Sequence, residues 1–308
     1  MSANGGDPSN GTSEQIFYRI RQALEIVHSP YSSNDSRRDA QNFLETVKEM
    51  PEAPFHGYTL ANDRAQAHIV RHYGLSLLEH AIRYKWSTYD GSQVEALLSW
   101  VLSLGQAISK EDPSFLRNKT AQLWVEVAKR CWGAEWMDMD ARLVELWNVT
   151  DSPTHKEFVM LVLETLSDEV LTSEDTVVAM REGVLSKACV EIFTPTSVLV
   201  EAFPSRQPGP DVRHGHEGWL SRLTEFLSLC LASNVKDNDE VRSCAIKCLG
   251  VQQVLLPWAI PKAISAAQCV NVLAGGLACP VPEIQKVRSE SFSAGWLVLR
   301  LTSSHRGP

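Results

Sequence analysis

The segment ANDRAQAHIVRHYGLSLLEHAIRYKW, residues 61–86, decides how this chain folds. Val70, Tyr73, Gly74, Leu77, Leu78, Ala81 and Ile82 recur at three- and four-residue steps, while His68, His72, Glu79 and Arg83 run along the opposite side. That spacing predicts a two-faced helix over about 63–85. No strict alternation of apolar and polar residues survives beyond a few positions anywhere in the chain, so strands are not expected.

The same period extends in both directions. Ile16, Ile20, Ala23, Leu24 and Val27 form a stripe preceded by Thr12 and Gln15 in capping-box spacing and stopped by Ser29-Pro30, which predicts a helix over about 13–28. Ala40, Phe43, Leu44 and Val47 form the next, ended by Pro51 and Pro54. Beyond residue 86, Val94, Leu97, Leu98, Val101, Leu102 and Leu104 make another apolar surface. Asp112-Pro113 then supplies an N-cap and a first-turn proline to a helix running through Leu116, Leu123, Trp124, Val127 and Ala128. A short helix is expected around Trp136 to Trp147. One that is apolar almost all round, and therefore buried, opens at the capping box Thr154 to Glu157. Helical patterns return at 174–193, 219–231, 239–256, 263–278 and 282–301. Residues 193–218 hold four prolines and three glycines and read as a variable surface loop without regular structure.

Helices that open near 33, 63, 112, 155, 239 and 282 are separated by 30, 49, 43, 84 and 43 residues. Several of these gaps match the roughly 40–47 residues of a HEAT-type helical hairpin. The expected fold is therefore all-α, an α-solenoid of about six such hairpins; a globular helical bundle is the alternative that period alone leaves open.

Composition narrows the function. The 308 residues carry 29 Lys and Arg against 37 Asp and Glu, a net charge of −8. A pI near 5.6 lacks the basic footprint of a dedicated nucleic-acid-binding domain. Seven cysteines follow no C-x-x-C or disulfide spacing and read as reduced core residues. The small, polar stretch Met1 to Ser13 lacks a secretory h-region, and no uncharged apolar run reaches the roughly 18 residues of a membrane span. A cytosolic or nuclear chain is expected, with no membrane role, and the sequons at Asn10, Asn118 and Asn148 read as coincidental.

Candidate chemistry is sparse. His68 and His72 stand at i and i+4 but lack the adjacent glutamate of zincins and any evident third ligand, so a solvated or partner-facing stripe is the simpler reading. His214, His216 and Glu217 lie in the Pro/Gly-rich loop with nothing to fix their geometry. Cys244 and Cys248 sit within an apolar helical pattern and read as small buried hydrophobes. No phosphate loop, dinucleotide fingerprint, nucleophile elbow or carboxylate pair stands out, so no catalytic residue, metal or cofactor is assigned. Several of the nine tryptophans could serve as binding platforms, but they coincide with the apolar stripes, and core packing between adjacent helices is the expected role.

Two stretches carry a family resemblance: His68-Ile-Val-Arg-His72, Gly74-Leu75, Leu78-Glu79-His80 and Trp86, then Lys129-Arg130-Cys131-Trp132 and Trp136-Met-Asp-Met139. In order and spacing they resemble the N-terminal region of the exportin-five group of importin-β-like karyopherins, with weaker likeness through KEFVMLVLETLSDEV (156–170), DEVRSCAIKCLG and EIQKVRSESF. The resemblance implies a right-handed superhelical arm and a nuclear export receptor, not an enzyme, that shuttles between nucleus and cytoplasm. Implied partners are the GTP-bound small GTPase Ran, nuclear pore proteins, and cargo ranging from phosphorylated proteins to double-stranded RNA; the acidic balance gives the RNA role no support. Residues 1–12 would be a disordered N-terminus, 13–132 the Ran-binding arm, 133–301 further exportin-type repeats, and 302–308 a disordered tail. Family knowledge puts Ran on the helices near 33–49, 63–85 and 112–131, whose polar stripes include Arg37, Arg38, Gln41, Arg64, His68, Arg71 and His72. The competing reading is a scaffold or adaptor solenoid unrelated to transport.

Family members have roughly twenty repeats, so the chain reads as a shortened arm. Phe292, Trp296, Leu297, Val298, Leu299 and Leu301 carry few compensating charges, and a terminal repeat without a polar outer face leaves apolar surface uncovered. Self-association of the 308-residue chain is therefore expected, and light scattering that found a monodisperse monomer would show that this terminus is a genuine cap.

Overall fold

The computed structural model of the protein describes residues 8–149, 152–171, 175–205, 211–275 and 279–286. Every regular element among them is helical. Helices adjoining in sequence pack on one another as hairpins, and the fold class is all-α, of the α-solenoid kind. The backbone divides into two units, Met1–Glu126 and Val127–Pro308.

The first unit opens with α1 (Pro8–His28) and α2 (Asn34–Lys48). Helix α1 begins earlier than the expected residue 13, at a proline suited to a first turn, so part of the segment expected to be disordered is helical and Thr12 and Gln15 lie inside the helix rather than at its cap. Ser33 caps α2 by accepting the Ser36 N–H at 3.1 Å. Ile20, Ala23 and Leu24 of α1 then meet Ala40, Leu44 and Val47 of α2 in one apolar cluster.

Helix α3 (Ala53–Asn62) is absent from the sequence expectation. Pro51 and Pro54 read as terminators, whereas Pro54 occupies the first turn of α3, where a missing N–H costs nothing. Residues 63–67 turn the chain: Asp63 accepts the Ala65 N–H at 2.9 Å and the Gln66 side-chain amide at 2.7 Å. The expected helix over 63–85 is accordingly shorter, α4 (His68–His80), continued by a π turn at Ala81–Lys85 and a 3-10 turn at Trp86–Thr88. Helices α3 and α4 cross backbone to backbone. A Cβ on Gly57 would lie 2.8 Å from the Gly74 carbonyl oxygen, and one on Gly74 would lie 2.6 Å from that of Gly57. Close by, the buried Tyr73 hydroxyl donates to the Leu44 carbonyl at 2.6 Å, and burial pushes its phenol well up. Helix α5 (Gly91–Gln106), capped by Asp90, and α6 (Ser114–Cys131), which runs across the division, follow.

The second unit is built around α8 (Pro153–Leu171), which buries Phe158, Val159, Met160, Val162, Leu163 and Leu166 as its all-round apolar pattern requires. Ser152, rather than Thr154, stands at the cap and accepts the His155 N–H at 3.4 Å. Packed on α8 are α7 (Met139–Trp147), α9 (Thr176–Phe193) and α12 (Asp239–Leu255), with α11 (Trp219–Ala232) against α12. The helix expected over 263–278 is two, α13 (Pro261–Ala266) and α14 (Cys269–Gly275), because Gln268 adopts φ 56°, a left-handed conformation that ends a right-handed helix. Of the pattern expected over 282–301, residues 282–286 are helical and the rest lies outside the described residues, as does the tail 302–308.

Residues 193–205 and 211–218, the described parts of the expected loop, are more regular than their prolines suggest. They contain the short helix α10 (Thr196–Ala202), and their far end is strapped to the core by Asp140 of α7. Asp140 is 1% exposed; its two oxygens accept the His214 N–H and the Trp219 indole N–H, each at 2.6 Å. Burial raises its carboxyl above the usual carboxylate range, against the pull of those two donors.

Six of the seven cysteines are buried, and burial pushes Cys131 and Cys244 up to about 12 and Cys230 and Cys269 up to about 11, so these thiols stay protonated at neutral pH. Trp124, Trp132, Trp136 and Trp219 are fully buried, as expected of core residues, whereas Trp86, Trp100, Trp147 and Trp258 are half-buried and Trp296 lies outside the described residues. No single described helix is long and apolar enough to cross a membrane.

The glycine crossing gives a direct test. Gly74→Ala should destabilise the chain by about 1–3 kcal/mol, because the two closest of the new methyl's three contacts, the Gly57 carbonyl oxygen and the Ala61 nitrogen, are backbone atoms that cannot yield cheaply. Gly183→Ala, within α9 and with nothing within 4 Å, should instead be neutral or stabilising by about 0.5–1 kcal/mol. Urea unfolding of both variants would check the opposite signs.

Candidate functional site

The seven residues singled out for partner binding do not form one surface. Arg38 and Gln41 project from the exposed side of α2, where Arg38 pairs with Asp35 at 3.1 Å and both side chains are largely in solvent. Arg37 turns back to its own hairpin and donates to the Ser29 carbonyl at 2.6 Å. His68 is exposed at the start of α4. His72, one turn on, is half-buried edge-on to Phe115 with ring centroids 5.6 Å apart; burial, with Lys119 adding to it, lowers its pKa. Among the described residues no group of three His, Cys, Asp or Glu is placed to hold a metal ion.

Arg64 and Arg71 converge on a residue that sequence reading treated only as a cap. Asp112 is 3% exposed. Its Oδ1 accepts Arg71 Nη1 at 2.6 Å, its Oδ2 accepts the Ser109 N–H at 2.9 Å, and Arg64 Nη2 stands 3.6 Å away. Arg71 also donates from Nε to the Ala61 carbonyl at 3.0 Å, and Arg64 to the Ser109 hydroxyl and the Ala107 carbonyl. These contacts tie the α3–α4 turn to the segment between α5 and α6. The Asp112 carboxylate is thus spent on the neighbouring hairpin and does not cap α6, correcting the cap expected from Asp112-Pro113.

Further bridges climb α4 in the same sense. Glu79 pairs with Lys119, and Arg83, on the π turn, donates from both Nε and Nη2 to Glu126 at 2.9 and 2.7 Å. The partners are 41, 40 and 43 residues apart, the length of one HEAT-type hairpin. Within the second unit, Lys129 repeats the device: it is fully buried and its Nζ meets Glu169 at 2.9 Å and Asp175 at 2.7 Å, 40 and 46 residues away. Arg181 closes the end of α6 by donating to the carbonyls of Lys129 at 2.8 Å and Trp132 at 2.7 Å. Sequence reading missed Asp112, Glu126 and Asp175 as members of this ladder. The available signal was opposite charge recurring at 40 to 46 residues, a weak one until the hairpins are known.

A run of helical hairpins pinned by such bridges defines a HEAT-type repeat protein. Comparison with known proteins narrows this. Residues 113–191 match the family described as Exportin 1-like protein. Protein MSN5 of Saccharomyces cerevisiae is 31% identical over 288 residues, 89% of this chain and 23% of that protein. Uncharacterized protein C328.01c of Schizosaccharomyces pombe is 29% identical over 84% of this chain and 21% of its own length, and Exportin-5 of Homo sapiens 30% over 54% and 14%. The chain belongs to the exportins, in the exportin-5 type. It spans about a quarter or less of the length of these curated relatives.

Placement explains why the motifs are recognisable. Val70, Gly74 and Leu75 are core, Arg71 is a bridge, Lys129 a buried ion, and Trp132 and Trp136 are buried beside one another. Because Asp112 is sealed in, Asp112→Ala should cost about 3–5 kcal/mol by leaving Arg71 without its counter-charge, whereas Arg38→Ala, on an exposed pair, should change stability by less than about 0.5 kcal/mol. Denaturant titration of the two variants measures the difference.

Proposed function

We propose that this chain is an arm of a nuclear export receptor that engages the GTP-bound form of Ran together with export cargo, and that it shuttles between nucleus and cytoplasm. The observations that support this reading are the match of residues 113–191 to the Exportin 1-like family and 30% identity to human Exportin-5 over 54% of the chain, beside 31% identity to Protein MSN5 over 89%. Residues 13–132 would serve as the Ran-binding arm and 133–301 as further exportin-type repeats. Phosphorylated proteins are the favoured cargo class, since a net charge of −8 gives no support to double-stranded RNA. Contacts with nuclear pore proteins belong to the same reading. The proposal includes no catalytic residue and no cofactor.

Among the candidate contacts, Arg38 and Gln41 on α2 and His68 on α4 have the exposure a partner requires, and the half-buried His72 follows His68 one turn along α4. Arg37, Arg64 and Arg71 act in this reading by holding the hairpins that present those residues. The competing reading is a scaffold solenoid unrelated to transport, and one experiment separates the two. Calorimetry with the purified chain should give tighter binding to Ran·GTP than to Ran·GDP, and Arg38→Glu combined with His68→Glu should weaken it about tenfold without unfolding the chain. Equal affinity for both nucleotide states would discard the transport reading in favour of the scaffold.

A further inference from the structure

The turn between α1 and α2 presents a serine directly before a proline, in the run Ser29-Pro30-Tyr31-Ser32-Ser33. The Ser29 N–H donates to the Glu25 carbonyl at 2.9 Å as the last rung of α1, and its carbonyl closes the turn by accepting the Ser32 N–H at 3.5 Å. Its hydroxyl accepts the Tyr31 N–H at 3.2 Å. Pro30 and Tyr31 stand in solvent, the tyrosine 95% exposed. A proline fixes its own φ, lacks an N–H and keeps the residue before it out of helical geometry, so Ser29 is held extended at an open corner of the chain.

The other Ser-Pro and Thr-Pro dipeptides are not presented in this way. Thr194, before Pro195, is 4% exposed. Ser152, before Pro153, caps the central helix α8, where its hydroxyl is hydrogen-bonded to His155 Nδ1. Ser29 is also the one of the three with an arginine already in place. Arg37 of α2 reaches across the turn, its Nη2 donating to the Ser29 carbonyl at 2.6 Å while its Nε is buried without a partner. The guanidinium thus stands at Ser29 with a donor to spare. Glu25 and Asp35, the acids nearest along the chain, are exposed, where water screens their repulsion of a further anion.

We infer that Ser29 accepts a phosphoryl group from a proline-directed serine/threonine kinase and that Arg37 receives the resulting phosphate. In the transfer, Ser29 Oγ attacks the γ-phosphorus of ATP, and the new O–P bond forms as the bond to the ADP oxygen breaks. The hydroxyl proton passes to the catalytic base of the kinase. The product carries a charge of about −1.5 to −2 at neutral pH and three strong acceptor oxygens. The carbonyl and hydroxyl of one serine are only a few bonds apart, so a guanidinium at the first reaches a phosphate on the second. An ionic acceptor is added to the neutral one, and the α1–α2 hairpin is tied more firmly. None of this rests on the transport reading.

Incubation of the full chain with Mg·ATP and a purified proline-directed kinase tests the acceptor, read by intact mass and peptide mapping. One phosphate should appear on Ser29, with Ser152 and Thr194 left bare, and it should be lost with Ser29→Ala or Pro30→Ala. Urea titration of each protein before and after phosphorylation tests the receiver. The phosphate should raise the folding equilibrium constant about tenfold, and Arg37→Ala should remove that gain whatever its own starting stability. Arg37→Lys should keep part of it, since a point charge pairs with phosphate but lacks the planar fork. No incorporation, incorporation indifferent to Pro30, or phosphate on Ser152 or Thr194 in place of Ser29 would overturn the acceptor. An unchanged or lowered folding constant on phosphorylation, or an equal gain in Arg37→Ala, would overturn the role of Arg37.

Discussion

Within each unit, ion pairs between residues one hairpin apart tie neighbouring helices together. Arg71 to Asp112, Glu79 to Lys119, Arg83 to Glu126 and Lys129 to Glu169 each join residues 40 to 43 positions apart. Apolar stripes alone would let neighbouring helices slide by a turn, because one leucine meets another equally well at several registers. A buried carboxylate has no such freedom: away from its guanidinium or ammonium it loses the compensation for its desolvation. The ladder therefore fixes how far each hairpin is displaced from the last, and the apolar core then fills the space that the ladder defines.

Polar bridging of this kind has a consequence for recognition. The residues that look most like binding residues in the sequence, arginines on the polar side of a helix, are in part the ones that the fold consumes. Arg71 and Arg64 are held at Asp112, and Arg37 at the end of α1. Arg38 and Lys156 are spent less fully: the first stands in solvent paired only with the equally exposed Asp35, the second lies over the Trp147 ring. Exposure and pairing, rather than residue type, separate an interface from a staple here.

The second constraint is the approach of α3 to α4. Two glycines facing one another allow the backbones to touch, which brings Leu60, Leu77 and Leu78 into full burial. A close crossing also leaves no slack for an extra turn, and α4 leaves regular α-geometry at Ala81, where the π turn sends Arg83 to Glu126 and Lys85 to Glu49 at 2.6 Å. In the second unit Asp140 plays the corresponding part, because two N–H donors on one buried carboxylate hold the strap that ends at Gly218.

The sequence by itself determined the helical class, most of the helices and the family, because a three-to-four-residue apolar period is a local property and because the family motifs are short runs of adjacent residues, many of them core, as Val70, Leu75, Trp132 and Trp136 are. It placed Ile20, Leu77, Phe158 and Trp132 in the core for the same reason. Only the tertiary structure decided the rest. Helix α3 was hidden because APFHGYTLAN is rich in residues that local propensity counts against a helix, and its stability comes from α4 rather than from itself. Asp112 looked like a cap because capping is a neighbour-to-neighbour pattern, whereas its true partner is 41 residues away. The anchoring of His214 was likewise invisible, since it depends on a carboxylate 74 residues upstream. Which charges remain free for a partner depends on the same long-range pairing, so it could be read only once the hairpins had been brought together.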